Sequence, residues 1–134
     1  KRRIGPLTGD GDIKTQLRNF FEKIIKEQQN PSIQPGCMIT RGAIESQSGT
    51  DEQKQIEKEM KMIENTFRNR LENAVDNNEL IEETPVKTLA RHLAGILHGL
   101  NVQAHVNNNA ELLRDLYQPV FTLLEHYQPE TKPR

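Results

Sequence analysis

An all-α fold, one helical bundle of about five main helices, is predicted by three features of the sequence. Apolar residues recur at helical spacing through nearly every segment. No segment carries the strict apolar–polar alternation of a half-buried strand. Turn residues, such as Gly9-Asp10-Gly11-Asp12, Asn30-Pro31, the stretch from Ser46 to Asp51, Asp76-Asn77-Asn78 and Asn107-Asn108-Asn109, fall between the periodic runs.

The first helix is expected to start after Asp12, a good N-cap, with Ile13, Leu17, Phe20, Phe21 and Ile24 on one face, and to stop at Asn30-Pro31. Pro35-Gly36 opens a short apolar helix from Cys37 to about Gln47. Thr50 with Gln53 has capping-box spacing and starts a long, highly charged helix. Its one thin stripe is Ile56, Met60, Ile63, Phe67, Leu71 and Ala74, and opposite charges neighbour one another elsewhere, so it reads as an outer wall of the bundle.

Thr84-Pro85 restarts the chain, with Thr84 as N-cap and Pro85 at the first helical position. This helix has two apolar stripes. Leu89, Leu93, Ile96, Leu97, Leu100 and Ala104 form one; Gly95, Gly99, Val102 and Val106 form another, rotated well round the axis. Arg91, His98, Asn101 and His105 fill the remaining wedge. Asn108 with Glu111 has N-cap spacing for a last helix from Ala110 to about Tyr127, which Pro119 should kink or divide. These last two helices carry more apolar surface than one copy of the chain can readily cover. A two-fold dimer pairing them with a second copy would make a four-helix interface, with Gly95, Gly99, Val102, Val106, Leu113, Leu116, Tyr117, Val120 and Leu124 at the contact.

Composition narrows the function. The chain has 134 residues, 34% hydrophobic and 28% charged, with a formal net charge of -1. Near-neutrality is not the footprint of a nucleic-acid-binding surface. One cysteine excludes an internal disulfide and fits a reducing cytoplasm. No apolar run approaches the length that crosses a bilayer, so no membrane partner is expected. Enzyme chemistry is not supported: there is no phosphate-cradling glycine loop, nucleophile elbow, His-Glu zinc motif or cysteine pair, and neither a cofactor nor a metal is expected. His98 and His105 lie two turns apart and read as solvated surface. His92, between the two stripes, is a structural histidine or lines a pocket or interface. Cys37, at a helix N-terminus with Arg41 one turn on, is either a thiol sensing oxidants or electrophiles or a small buried residue. Phe20, Ile24, Met38, Arg41, Met60, Ile63, Phe67, Leu93 and Leu97, from four helices, converge on either a core or a pocket for a small apolar or amphipathic ligand.

The order of three phrases, "PGCMITRGAIES", the charged helix ending "LENAVDNNELIEE", and "TPVKTLARHLAGILHGLNVQAHVNNNAELLRDLYQPVFTLL", resembles the C-terminal domain of the TetR family of bacterial transcriptional regulators. The Gly-Cys opening of the short helix and the phrase from Leu89 to Leu100 recur in one large branch of that family. The resemblance covers nearly the whole chain; Pro119 departs from its usual pattern. It implies an effector-binding and dimerisation domain of a cytoplasmic repressor, homodimeric through its last two long helices. Operator DNA would be bound only through an N-terminal helix-turn-helix head that is not in this sequence, and an effector among the first four helices would relieve that binding. The expected organisation is then residues 1–11 as the remnant of a linker helix and loop, 12–128 as the ligand-binding and dimerisation domain, and 129–134 as a flexible tail of a fragment. The rival reading is a free-standing helical protein–protein interaction module.

Overall fold

The computed structural model describes Leu7, residues 11–32 and residues 38–130, with residues 38–41 described in backbone alone. Every regular element among them is helical. The order is α1 (Ile13–Gln28), α2 (Met38–Glu45), α3 (Asp51–Asp76), α4 (Val86–Val106), α5 (Ala110–Tyr117) and α6 (Pro119–His126). The predicted all-α bundle is therefore the observed fold.

The helix starts follow local chemistry. Asp12 caps α1 by accepting the Thr15 amide at 2.8 Å. Thr50 caps α3 by accepting the Gln53 amide, while the Gln53 side chain reaches back to the amide of Gly49, whose φ of 80° suits a residue without a side chain. Two expected caps are displaced by one residue. Pro85, not Thr84, occupies the cap position of α4, because the Thr84 hydroxyl is turned back to donate to the carbonyl of Ile81. Asn109, not Asn108, caps α5, accepting the Leu112 amide at 3.1 Å. Asn108 instead donates to the carbonyl of Gln28 and accepts from the Gln29 side chain, tying the α4–α5 turn to the end of α1. Replacing Asn109 by Ala is expected to cost about 1 kcal/mol of stability, read from urea unfolding. Pro119 divides the last helix at Gln118, as its missing amide and ring require.

α1 is the central element. Ile13, Leu17, Phe20, Phe21, Ile24 and Ile25 are all buried, on an arc too wide for one neighbour. Phe20 meets Phe67 of α3 edge-on at 5.4 Å, and Phe21 stacks on Tyr117 of α5 at 5.0 Å. Tyr117 in turn meets Phe121 of α6 at 5.7 Å. Offset and edge-to-face rings add to the burial of their area and fix the angles at which the helices meet. α3 and α4 form the most extensive helix pair. They run antiparallel, with Arg91 bonded to Glu64 at 3.4 Å and Met60 facing the Ala94–His98 turn. α2 lies across the start of α3. A methyl group added at Gly42 would stand 2.6 Å from Cδ1 of Ile56, so α2 and α3 approach closely here and a larger residue would make the end of that side chain turn aside.

Candidate functional site

Three arrangements of side chains stand out from the packed core: a groove between α3 and α4, an apolar face along α4 and α5, and a polar clamp at the start of α1.

The groove is open and has a volume of about 510 Å³. Met60 on α3 and Ala94 and Gly95 on α4 give it apolar walls. Glu64 and Arg91 pair at one end, and His98 lies at the other. Of the residues expected to line a ligand pocket, Met60 borders this groove and Ile63 packs against the core beside it. Phe20, Ile24, Phe67, Leu93 and Leu97 are brought together as expected, but as members of the close-packed core. Met38 and Arg41 lie on α2 with side chains outside the described ones, and Cys37 lies outside the described residues.

The wedge of α4 expected to be solvated is not uniformly so. Asn101 is 1% exposed and accepts a hydrogen bond from Gln28 at 2.7 Å. His98 is half-buried, and loss of solvent around it holds its pKa below the ordinary histidine value. The packing of α1 and α3 against this side of α4 closes over a wedge that polarity alone marked as outer surface. The ring of His98 is thus kept neutral in the fold while an unfolded chain would protonate it below about pH 6.5. The unfolded state then binds the extra proton, so stability should fall as pH falls below that value, and level off once the folded ring also protonates. His98→Gln should flatten this loss, seen as a smaller drop in Tm between about pH 7.5 and pH 5.

The second stripe of α4 is exposed, as its two-sided pattern predicted. Val102 is 40% and Val106 78% exposed. Nothing lies within 4 Å of a methyl group built on Gly95 or Gly99, so this side of α4 is flat and open. With His92, half-buried Ile96 and half-buried Leu116, it borders a shallow groove of about 630 Å³ between α4 and α5. Four residues expected on this face are elsewhere. Leu113, Tyr117, Val120 and Leu124 are each 2% exposed or less, turned into the chain's own core. The break at Gln118 lets α5 and α6 each turn an apolar stripe inward.

The clamp was not visible as a site in the sequence. Arg70, 9% exposed, donates to the side chain of Gln16, to the carbonyl of Gly11 at 3.2 Å and to both carboxylate oxygens of Glu79. Glu79 also accepts the amide of Ile13 at 2.7 Å, capping the first turn of α1. The available signal was spacing: Arg70 falls three residues after Phe67 and four before Ala74, inside the apolar stripe, and Gln16 follows Ile13 by three. On the far side of α1, Glu22 accepts from Tyr117 and from Arg114 at 3.1 Å, and Arg18 lies 4.4 Å from the centre of the Phe121 ring. Burial and the carboxylate of Glu22 push the Tyr117 hydroxyl well above its ordinary pKa, so it stays a donor.

Among the described residues no group of three or more His, Cys, Asp or Glu side chains could hold a metal ion, and no helix is long and apolar enough to cross a membrane. Among the described residues the chain is an all-helical bundle with an open groove between α3 and α4 and an uncovered apolar face along α4 and α5.

Residues 14–119 match the family model described as the tetracyclin repressor-like C-terminal domain. The chain belongs to this family, the C-terminal regulatory domains of TetR-type transcriptional regulators. Solved structures share the fold. A cysteine mutant of the TetR family transcriptional regulator CifR, complexed with 26-base-pair operator DNA, superposes with a TM-score of 0.80 at 20% identity, covering 90% of this chain and 64% of that one. A TetR transcriptional regulator from Chloroflexus aurantiacus superposes with a TM-score of 0.79 at 19% identity, covering 94% and 65%. The chain therefore spans about 64 to 65% of the length of these structures. A search of curated proteins finds no match.

Proposed function

We propose that this chain is the effector-sensing and dimerisation domain of a bacterial TetR-type repressor. In that protein a helix-turn-helix head binds operator DNA, and a small apolar or amphipathic effector bound by this domain relieves the binding. The observation that carries the reading is the two-sidedness of α4. One side is sealed into the core, and the other exposes Gly95, Gly99, Val102 and Val106 as a flat apolar strip beside Leu116. A strip of this kind suits close packing against its own copy across a two-fold axis. The groove between α3 and α4 is the corresponding place for an effector, between a charged outer wall and the dimerising helix. An effector that shifts α3 against α4 can act on the start of α1 through Arg70 and Glu79, and so on the segment that leads to the head.

Light scattering over a range of concentrations tests the dimer. The expected mass is twice that of the chain. Gly99→Ala separates dimer packing from helix stability. In an exposed helix interior Ala is favoured over Gly by about 1 kcal/mol, so the single chain should be more stable, while its dimer should dissociate more readily because the added methyl stands in the contact. A monomer at every concentration would overturn the homodimer and give the strip to a different protein, as in a free-standing helical interaction module.

A further inference from the structure

The buried amide of Asn101 has an unused half. Its Oδ1 accepts from Gln28 Nε2 at 2.7 Å; with Gln28 in this orientation, flipping the Asn101 amide alone would bring two donors together. The main chain at Gln28 is itself held by Asn108 Nδ2, donating at 2.6 Å. Asn101 Nδ2 is buried and has no hydrogen-bond partner. One turn earlier on α4, within about 60° round the axis, the Nδ1 of His98 is likewise buried without a partner. His98 is the groove-lining residue furthest along α4; Asn101, one turn beyond it, is enclosed and does not itself line the groove, so a ligand reaches it only by passing His98. Buried polar groups in native proteins are nearly always satisfied, so two orphans on one side of one helix next to a groove mark a place where an outside molecule, a ligand or an ordered water, completes the bonding.

We propose that Asn101 and His98 form the polar end of an effector subsite reached along the α3–α4 groove, and that it takes an uncharged, largely apolar molecule carrying a carbonyl or equivalent acceptor oxygen. This rests on the effector-sensing reading above. The Asn101 amide donates to the oxygen; Met60 and Ala94 contact the apolar body; His98, neutral at this position, supplies a second uncharged polar atom. An anion is disfavoured. Among the described groove residues, Lys58, Lys61 and Arg91 are exposed, and Arg91 is paired with Glu64, so no cation faces the inner end.

Three molecules of closely related shape test this on the isotope-labelled chain by NMR titration: acetophenone, ethylbenzene and benzoate. Acetophenone is expected to bind at least about tenfold more tightly than either of the others and to shift the Asn101 side-chain NH₂ and the His98 ring signals. Asn101→Leu should bring acetophenone down to the affinity of ethylbenzene and leave ethylbenzene unchanged. Because that variant also loses the bond to Gln28, the comparison of the three ligands on the unaltered chain stands as the independent measurement. Equal binding of ethylbenzene and acetophenone, or preference for benzoate, overturns the assigned ligand class while leaving effector sensing in place. No binding of any of the three at millimolar concentration, or binding without a shift of the Asn101 NH₂, overturns the subsite. Effector sensing is judged separately, by release of operator DNA from the full-length regulator.

Discussion

Arg70→Met should lower the stability of the chain by about 3 kcal/mol, and its Tm by roughly 10 °C, the largest effect expected from a single polar substitution. The reason is what the substitution leaves behind. Arg70 satisfies Gln16, the carbonyl of Gly11 and Glu79 together, in a site 9% exposed. Removing it strands a half-buried carboxylate and a buried amide in the absence of their donor. Glu79→Gln is expected to be milder, because a neutral amide oxygen still accepts from Ile13 and from Arg70. The double variant Arg70→Met with Glu79→Gln should cost less than the sum of the two, since the second change removes the charge stranded by the first. Urea unfolding of the four chains measures this directly. Additive losses would mean that Arg70 and Glu79 act independently and do not form one clamp. On the function proposed above, the same variants in a full-length regulator should weaken the response of operator affinity to effector, because the clamp is a polar connection between the α3 wall and the start of α1.

In the homodimer proposed above, Leu116→Asp should give monomer across the accessible concentration range, with a dissociation constant raised at least about 100-fold. Leu116 is half-buried beside Gly99 at the seam of α4 and α5. A carboxylate placed there would have to be desolvated twice across a two-fold interface, once from each copy. The far-ultraviolet helical signal should stay near that of the unaltered chain, because the side chain already touches solvent in the single protomer. Light scattering with circular dichroism separates the outcomes: loss of mass with helix retained supports the interface, and an unchanged dimer would move it off this seam. Substitution of Leu113 could not make this distinction, since Leu113 is fully enclosed in the core and its loss would unfold the chain first.

Much of this architecture is legible in the sequence. The 3.6-residue period places the helices, with α5 and α6 as one, because burial of a stripe is a one-dimensional consequence of spacing. Asp12 and Thr50 were found as caps because capping is a local bond between a side chain and an amide three residues on. The same rule failed by one residue at Thr84 and Asn108, where a competing acceptor or donor was equally close. The Ile81 carbonyl drew the Thr84 hydroxyl, and the end of α1 drew Asn108 across 80 residues of sequence. Pro119, expected to kink or divide the last helix, divides it, since its effect is covalent and local.

The sequence by itself thus determined the class of fold, the number of helices to within the division at Pro119, the two-sided character of α4 and the family phrase from Leu89 to Leu100. Those properties depend on residues a turn or two apart. Tertiary structure alone decided which apolar residues were enclosed within the chain and which stayed exposed. Leu113, Tyr117, Val120 and Leu124 went inward, while Val102 and Val106 stayed outside. It also decided that Arg70, Gln28 and Asn101 are buried and bonded, although their residue types belong to surfaces. Burial of a polar side chain depends on whether a partner from another helix arrives to satisfy it. That arrival is set by the packing of distant segments, which no local spacing encodes.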